Sequence, residues 1–136
     1  KVELEDIAHQ LESARLLSLL GPGGSGKTRL AYEAAACSID SYPDGIWVAE
    51  LAAVTREDSL PSAVLRALAL REEAGRNSLT AIANHFQHKR ALLVLDNCEQ
   101  VIDEAASLIQ SLLKSSADLF ILVTSREALN VPAASV

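Results

Sequence analysis

Residues 21–28 of this 136-residue chain are Gly21-Pro22-Gly23-Gly24-Ser25-Gly26-Lys27-Thr28, which match the pattern G-x-x-x-x-G-K-[ST] at every fixed position. Glycines leave room for backbone N–H groups to point at a phosphate, where a side chain would block the approach. A helix that begins at the end of such a loop adds unpaired N–H groups and a dipole that favours a negatively charged ligand. The run therefore predicts a loop that holds the phosphates of ATP or GTP.

The residues around this loop supply the context that it requires. Residues 16–20 form a short apolar run typical of a buried strand, and residues 29–36 have the composition of a helix. Lys27 would place a positive charge at the β- and γ-phosphates, and Thr28 would offer its hydroxyl to Mg²⁺. We expect the nucleotide to contact Gly21, Gly23, Gly24, Ser25, Gly26, Lys27, Thr28 and Arg29.

A candidate metal ligand ends a second apolar run. Residues 91–95 are continuously apolar, as in a strand buried on both faces of a parallel sheet, and Asp96 follows them. In phosphate-loop enzymes such an acid holds Mg²⁺ opposite the loop hydroxyl, usually through water. The alternative is a turn residue that merely ends the strand. The position of Asp96 after a phosphate loop favours the metal role.

A third apolar run, residues 119–123, is followed by Thr124, Ser125 and Arg126. Ligands of parallel sheets bind at the carboxyl ends of the strands. Arg126 would there sense the γ-phosphate or stabilise charge that develops on it. The alternative is an arginine at the start of a helix, paired with Glu127.

Helical and strand patterns alternate along the chain, which implies right-handed crossovers and a parallel sheet covered on both faces. We predict helices near residues 3–13, 27–40, 59–70, 79–87 and 100–115, and strands near 15–20, 46–51, 91–96 and 119–123. These patterns predict an α/β fold, a P-loop NTPase with a parallel sheet of four to five strands and helices on both faces in a three-layer αβα sandwich. We expect one nucleotide-binding domain over residues 1–136, with the Asp96 strand beside the loop strand.

Four segments in the same order resemble a known family: residues 20–31, 42–47, 92–100 and 123–132. Together they are similar to the NB-ARC-type ATPase domain of the signal transduction ATPases with numerous domains (STAND). Among these the chain most resembles the ATPase module of large bacterial transcriptional regulators of the LuxR-like and antibiotic-regulatory types. The resemblance extends from about residue 14 to residue 132 and implies that residues 1–136 are a fragment of a larger regulator.

The resemblance implies a switch that ATP closes and ADP locks, with slow hydrolysis to ADP and phosphate. It implies that residues 21–28 form the phosphate loop, Asp96 coordinates Mg²⁺, and Thr124 with Arg126 forms the sensor motif. The implied partners are other domains of the same chain, namely helical, winged-helix, sensor and DNA-binding domains. A nucleotide-dependent oligomer is left open. Specificity for ATP over GTP follows from the resemblance and from the absence of Asn-Lys-x-Asp.

One departure concerns hydrolysis. Many relatives place a second acid directly after the metal-binding one, but this chain has Asn97 there, and Glu99 lies two residues further on. Asn97 suggests weak hydrolysis, and the catalytic candidates are Lys27, Asp96, Arg126 and Glu99. Two alternatives to the switch remain, a nucleotide-binding scaffold without hydrolysis and a small-molecule kinase. The kinase is less favoured because the arginines after the loop are scattered and do not suggest a lid.

Composition and charge narrow the remaining classes of function. The chain is 49% hydrophobic and 22% charged, with a formal net charge of −6, so direct contact with nucleic acid is not expected. No apolar segment approaches the length of a membrane span, and we expect a cytoplasmic protein. Cys37 and Cys98 lack metal-ligand spacing, which predicts two buried, reduced thiols.

A few side chains outside the motifs allow a functional interpretation. His9, His85 and His88 have no partners at metal-ligand spacing and are expected to face solvent. Trp47 is expected to pack against a helix. Glu50, at the end of the second strand, could point towards the nucleotide or be a partly exposed strand-end acid, and the sequence favours neither.

Overall fold

The computed structural model describes residues 2–22, 26–54, 60–71 and 77–129. In the described part of the chain, helices and strands alternate. The helices are α1 (Val2–Ala14), α2 (Lys27–Cys37), α3 (Leu60–Ala67), α4 (Ser78–Phe86) and α5 (Ile102–Ser115), and the strands are β1 (Leu16–Leu20), β2 (Ile46–Glu50), β3 (Ala91–Asp96) and β4 (Leu119–Ser125). Two short 3₁₀ helices, η1 (Ile39–Ser41) and η2 (Cys98–Val101), follow α2 and β3.

The four strands form one parallel sheet in the order β1-β4-β3-β2. This confirms the predicted α/β class but corrects one expectation, because the strand that ends in Asp96 does not lie beside the loop strand. Strand β4 lies between them. Every residue of β3 and β4 is buried, whereas β1 and β2 each carry partly exposed residues. Strands that are apolar on both faces take the centre of a parallel sheet, where helices cover both sides.

Alternation along the strands divides the interior into two layers. Leu93 and Leu95 of β3 and Val123 of β4 face the core formed with α3, α4 and α5. Leu92 and Val94 of β3 face the smaller core formed with α1 and α2. Since successive side chains of a strand point to opposite faces, the sheet is covered by helices on both sides in the expected three-layer arrangement.

Trp47 of β2 faces the larger core, as predicted. Its ring packs edge to face against His85 (5.0 Å between centroids) and Phe86 (5.6 Å) of α4. The expectation for His85 was wrong, because this side chain is partly buried and its Nε2 finds no hydrogen-bond partner among the residues that the structure describes. Burial lowers the pKa of His85, with Lys89 adding to the effect.

The prediction of two buried thiols was half right. Cys98, the first residue of η2, is buried in the larger core, and burial raises the pKa of its thiol to about 12. Cys37 is exposed, because it occupies the last position of α2, on the side away from the sheet.

Among the helices of the described ranges, none combines the length and apolar character needed to cross a bilayer.

Candidate nucleotide-binding site

Three side chains converge at the carboxyl ends of adjacent strands. Glu50 of β2 lies opposite Asp96 of β3 in the sheet register, and Thr124 lies near the end of β4. All three follow residues that face the larger core, so alternation turns them towards the α2 side of the sheet. The first turn of α2, which carries Lys27 and Thr28, lies at the same edge. Residues that are far apart in sequence therefore meet where parallel sheets bind ligands.

Helix α2 begins directly after Gly26, whose backbone is left-handed (φ 86°) and accepts the amide of Leu30 at 3.0 Å. A residue with a Cβ would be strained there, although the space around Gly26 is open. At the other end of the loop, the amide of Gly21 donates to the carbonyl of Ser125 at 3.2 Å and ties the loop to β4. The predicted phosphate contacts of Gly23, Gly24 and Ser25 lie outside the described residues.

The Thr28 hydroxyl donates to Asp96 Oδ1 at 3.0 Å, across 68 residues of sequence. Asp96 is fully buried. The Thr124 hydroxyl donates to the same oxygen, while Tyr32 Oη and Asn97 Nδ2 each lie 3.4 Å from Oδ2. Within the described ranges no cationic side chain forms an ion pair with this carboxylate. A buried acid surrounded only by neutral donors can accept a metal ion.

Lys27 is the buried cation of the site. The residue is only 8% exposed, and its amine lies 3.4 Å from the carbonyl oxygen of Pro22. The only ion pair between described residues, Arg29 with Glu33 at 3.2 Å, does not involve it. A buried ammonium that lacks an acidic partner fits an anionic ligand, and the first N–H groups of α2 lie beside it.

A cleft of about 690 Å³ opens between the start of α2 and the ends of β3 and β4. Arg126 and Glu99 line its far side, where Glu99 Oε1 accepts the backbone amide of Arg126 at 3.1 Å. The Arg126 side chain is exposed and does not pair with Glu127, another exposed residue. The structure thus brings Arg126 and Glu99 to the cleft, and their catalytic roles stay predictions. The cleft is lined by Gly26, Lys27, Thr28, Arg29, Tyr32, Glu33, Asn97, Glu99 and Arg126.

Sequence reasoning missed Tyr32 and left Glu50 undecided. Tyr32 stands one helical turn after Thr28, so this spacing could have placed its ring over the same site. Burial, followed by the charge of Asp96, raises the pKa of Tyr32. The pKa of Glu50 is raised mainly by burial, which outweighs the hydrogen bond from Ala52, and the neighbouring Asp96 adds to the increase.

The donor set fits Mg²⁺ bound together with a polyphosphate. Thr28 and Asp96 offer two oxygen ligands, and Mg²⁺ commonly takes its other oxygens from water and from phosphates. In the described part of the chain, no three His, Cys, Asp or Glu side chains converge as they would in an all-protein metal site. Lys27 and the start of α2 would face the phosphates.

Two solved structures share this fold although their sequences are distant. Cdc6p from Pyrobaculum aerophilum superposes with a TM-score of 0.70 at 15% identity, over 96% of this chain and 41% of that one. A Drosophila ORC structure, bound to AT-rich DNA and Cdc6, matches with a TM-score of 0.52 at 15% identity, over 96% of this chain and 49% of that chain. At this identity the likeness shows the fold alone.

Relatives in sequence come from Mycobacterium tuberculosis. An uncharacterized protein is 39% identical over 131 residues, which are 96% of this chain and 33% of that protein. A protein named as a candidate HTH-type transcriptional regulator is 37% identical over 121 residues, 89% of this chain and 14% of its own length. The chain therefore spans a third or less of these relatives. The model of the NB-ARC domain family matches residues 1–132, and the chain belongs to that family.

Proposed function

We propose that this chain binds an adenine nucleotide together with Mg²⁺ and acts as the nucleotide-dependent switch of a longer transcriptional regulator. The observation that carries the proposal is the 3.0 Å contact between the Thr28 hydroxyl and the buried Asp96 carboxylate, beside the buried Lys27. Lys27 and Asp96 carry opposite charges, and neither forms an ion pair within the part of the chain that the structure describes. Buried charges without an ionic partner destabilise the fold unless a ligand compensates them. A Mg²⁺–nucleotide complex supplies both missing charges.

The chain's own residues divide this work. Lys27 and the first amides of α2 bind phosphate oxygens, and the glycines of the loop allow the backbone to approach them. Thr28 and Asp96 hold Mg²⁺, which when bound neutralises phosphate charge. Thr124 orients Asp96 through its hydroxyl, and Arg126 reaches the phosphates from the far side of the cleft.

The regulatory part of the proposal draws on the relatives. One of them is named as a candidate HTH-type transcriptional regulator, and this chain corresponds to 14% of its length. The rest of such a protein would carry the DNA-binding and sensor parts. The switch hydrolyses ATP slowly, since Asn97 stands where an acid often follows the metal ligand.

Calorimetric titration with ATP, ADP and GTP, each with and without Mg²⁺, tests the binding. Lys27→Ala should weaken ATP binding about 10- to 150-fold, which corresponds to the 1.5–3 kcal/mol of a hydrogen bond to a charged group. Lys114→Ala, at an exposed position near the end of α5, is the matched control and should bind like the parent. Equal affinity of Lys27→Ala and the parent would refute the assignment.

Asp96→Asn should remove the tightening that Mg²⁺ gives to ATP binding while leaving a metal-free component. Asp118→Asn, an exposed acid just before β4, serves as its control. Mg²⁺-dependent, adenine-selective binding with slow phosphate release supports the switch. Binding without any release in the longest available protein favours a nucleotide-binding scaffold, the second candidate, for which Asn97 after Asp96 is the specific observation.

A further inference from the structure

We propose that Glu50, at the end of β2, orients the water that attacks the γ-phosphate and receives its proton. The inference rests on the proposed function, because it assigns a residue to hydrolysis at the same site. Asn97 stands where an acid often follows the metal ligand, and Glu50 would supply the carboxylate that is missing there.

The sheet places Glu50 next to the metal-binding position. Glu50 and Asp96 are register partners on adjacent parallel strands, and both side chains turn to the α2 side of the sheet. The Asn97 amide nitrogen lies 3.0 and 3.3 Å from the two oxygens of Glu50 and 3.4 Å from Asp96 Oδ2. A single amide nitrogen therefore contacts both carboxylates.

The Glu50 carboxylate is held in place and is still open to solvent. Its Oε1 accepts the amide of Ala52 at 2.6 Å, in addition to the contact with Asn97. The residue is nevertheless exposed, so water has access to the remaining acceptor positions of the carboxylate. A carboxylate that is held in place and open to water, beside the cleft residue Asn97, is the arrangement that water positioning needs.

The two other candidates are less suited to this task. Asn97 carries an amide, which cannot take a proton from water at neutral pH, and its left-handed backbone (φ 64°) presents the amide nitrogen to Glu50. Glu99 lines the cleft on the Arg126 side, where its Oε1 already accepts the Arg126 amide. Asn97 is therefore a positioning residue, and Glu99 supports the segment that carries Arg126.

The chemical step balances without a further reactant. The water oxygen forms a bond to the γ-phosphorus as the bond to the β–γ bridging oxygen breaks, and ADP leaves with that electron pair. Glu50 receives the proton that the water loses and returns it to solvent or to the released phosphate. Lys27 and Arg126 face the charge that develops on the transferred group.

The test compares Glu50→Gln with Glu99→Gln and with Glu104→Gln, a matched control at an exposed position of α5. Two quantities are measured on each chain: the affinity for ATP with and without Mg²⁺ by calorimetry, and single-turnover phosphate release. General-base assistance is worth about 100- to 10,000-fold, so Glu50→Gln should slow release at least a hundredfold. The ATP affinity of Glu50→Gln and its dependence on Mg²⁺ should stay within about twofold of the parent's. A twofold change in affinity corresponds to less than about 0.5 kcal/mol.

The affinity measurement separates a role in the reaction from a merely structural one. If Glu50 only held Asn97 and Asp96 in place, Glu50→Gln would weaken Mg²⁺-dependent binding as well as release, which overturns the inference. Release by Glu50→Gln at the parent rate, or loss of release in Glu99→Gln alone, also overturns it. A parent chain that binds ATP but releases no phosphate contradicts the role of Glu50 and leaves the binding proposal standing, whereas a parent that binds no ATP contradicts both.

Discussion

Thr124→Val should destabilise the chain by several kcal/mol although it changes few atoms. Thr124 is fully buried, and its hydroxyl joins two neighbours: it accepts the Asn97 amide at 2.9 Å and donates to Asp96 Oδ1. Valine has nearly the same shape, so the packing of β4 is kept. The substitution leaves the Asn97 amide without its acceptor and removes one donor from a buried carboxylate.

The magnitude follows from these two losses. A hydrogen bond to a charged group contributes about 1.5–3 kcal/mol, and an orphaned buried donor costs about 1–3 kcal/mol. The expected loss is therefore about 3–5 kcal/mol, since water reaching the gap recovers part of the total. A domain of this size is stable by about 5–15 kcal/mol, so Thr124→Val should still fold but with a much reduced margin.

Urea unfolding followed by the fluorescence of Trp47, the only tryptophan, measures the change. Thr124→Ser keeps the hydroxyl and should recover most of the lost stability. Thr80→Val makes the same threonine-to-valine change on the exposed face of α4 and is the control. A loss below about 0.5 kcal/mol for Thr124→Val would refute the reasoning, because surface substitutions alone reach that size. Mg²⁺-dependent ATP binding should weaken in parallel.

Three further predictions concern positions outside the site. Gly45→Ala should cost at least about 2 kcal/mol in urea unfolding, because φ is 123° and a Cβ would lie 2.7 Å from the Trp47 ring; unchanged stability would contradict this. Burial lowers the pKa of His85 below its unfolded value, so its contribution to stability is complete above about pH 6.5 and is lost as the pH falls through the folded pKa. His85→Phe should therefore flatten the pH dependence of stability between about pH 7 and 5. An unchanged slope would mean that other groups cause this pH dependence. Asn77→Ala should cost about 1 kcal/mol, since the Asn77 side chain caps α4 by accepting the Thr80 amide at 3.2 Å; a thermal melt that does not shift would argue against the cap.

Local signals in the sequence were sufficient for the elements and for the class of fold. The apolar runs of β3 and β4, the glycines before Lys27 and the helical spacing of α5 each act over a few residues, so they can be read without the fold. The same locality explains why Asp96 was recognised: it follows a buried strand directly. Its role as a metal ligand remains a prediction.

Only the tertiary structure decided the strand order and what surrounds Asp96. The place of β4 between β1 and β3 depends on which strands bury both faces, and no single segment records that comparison. The same holds for Tyr32, which contacts Asp96 across 64 residues, and for Glu50, which meets Asn97 across 47. The exposure of Cys37 and the burial of His85 also depend on which side of each helix the rest of the chain covers. Periodicity fixes the spacing of side chains within an element, whereas contacts between elements depend on how the whole chain packs.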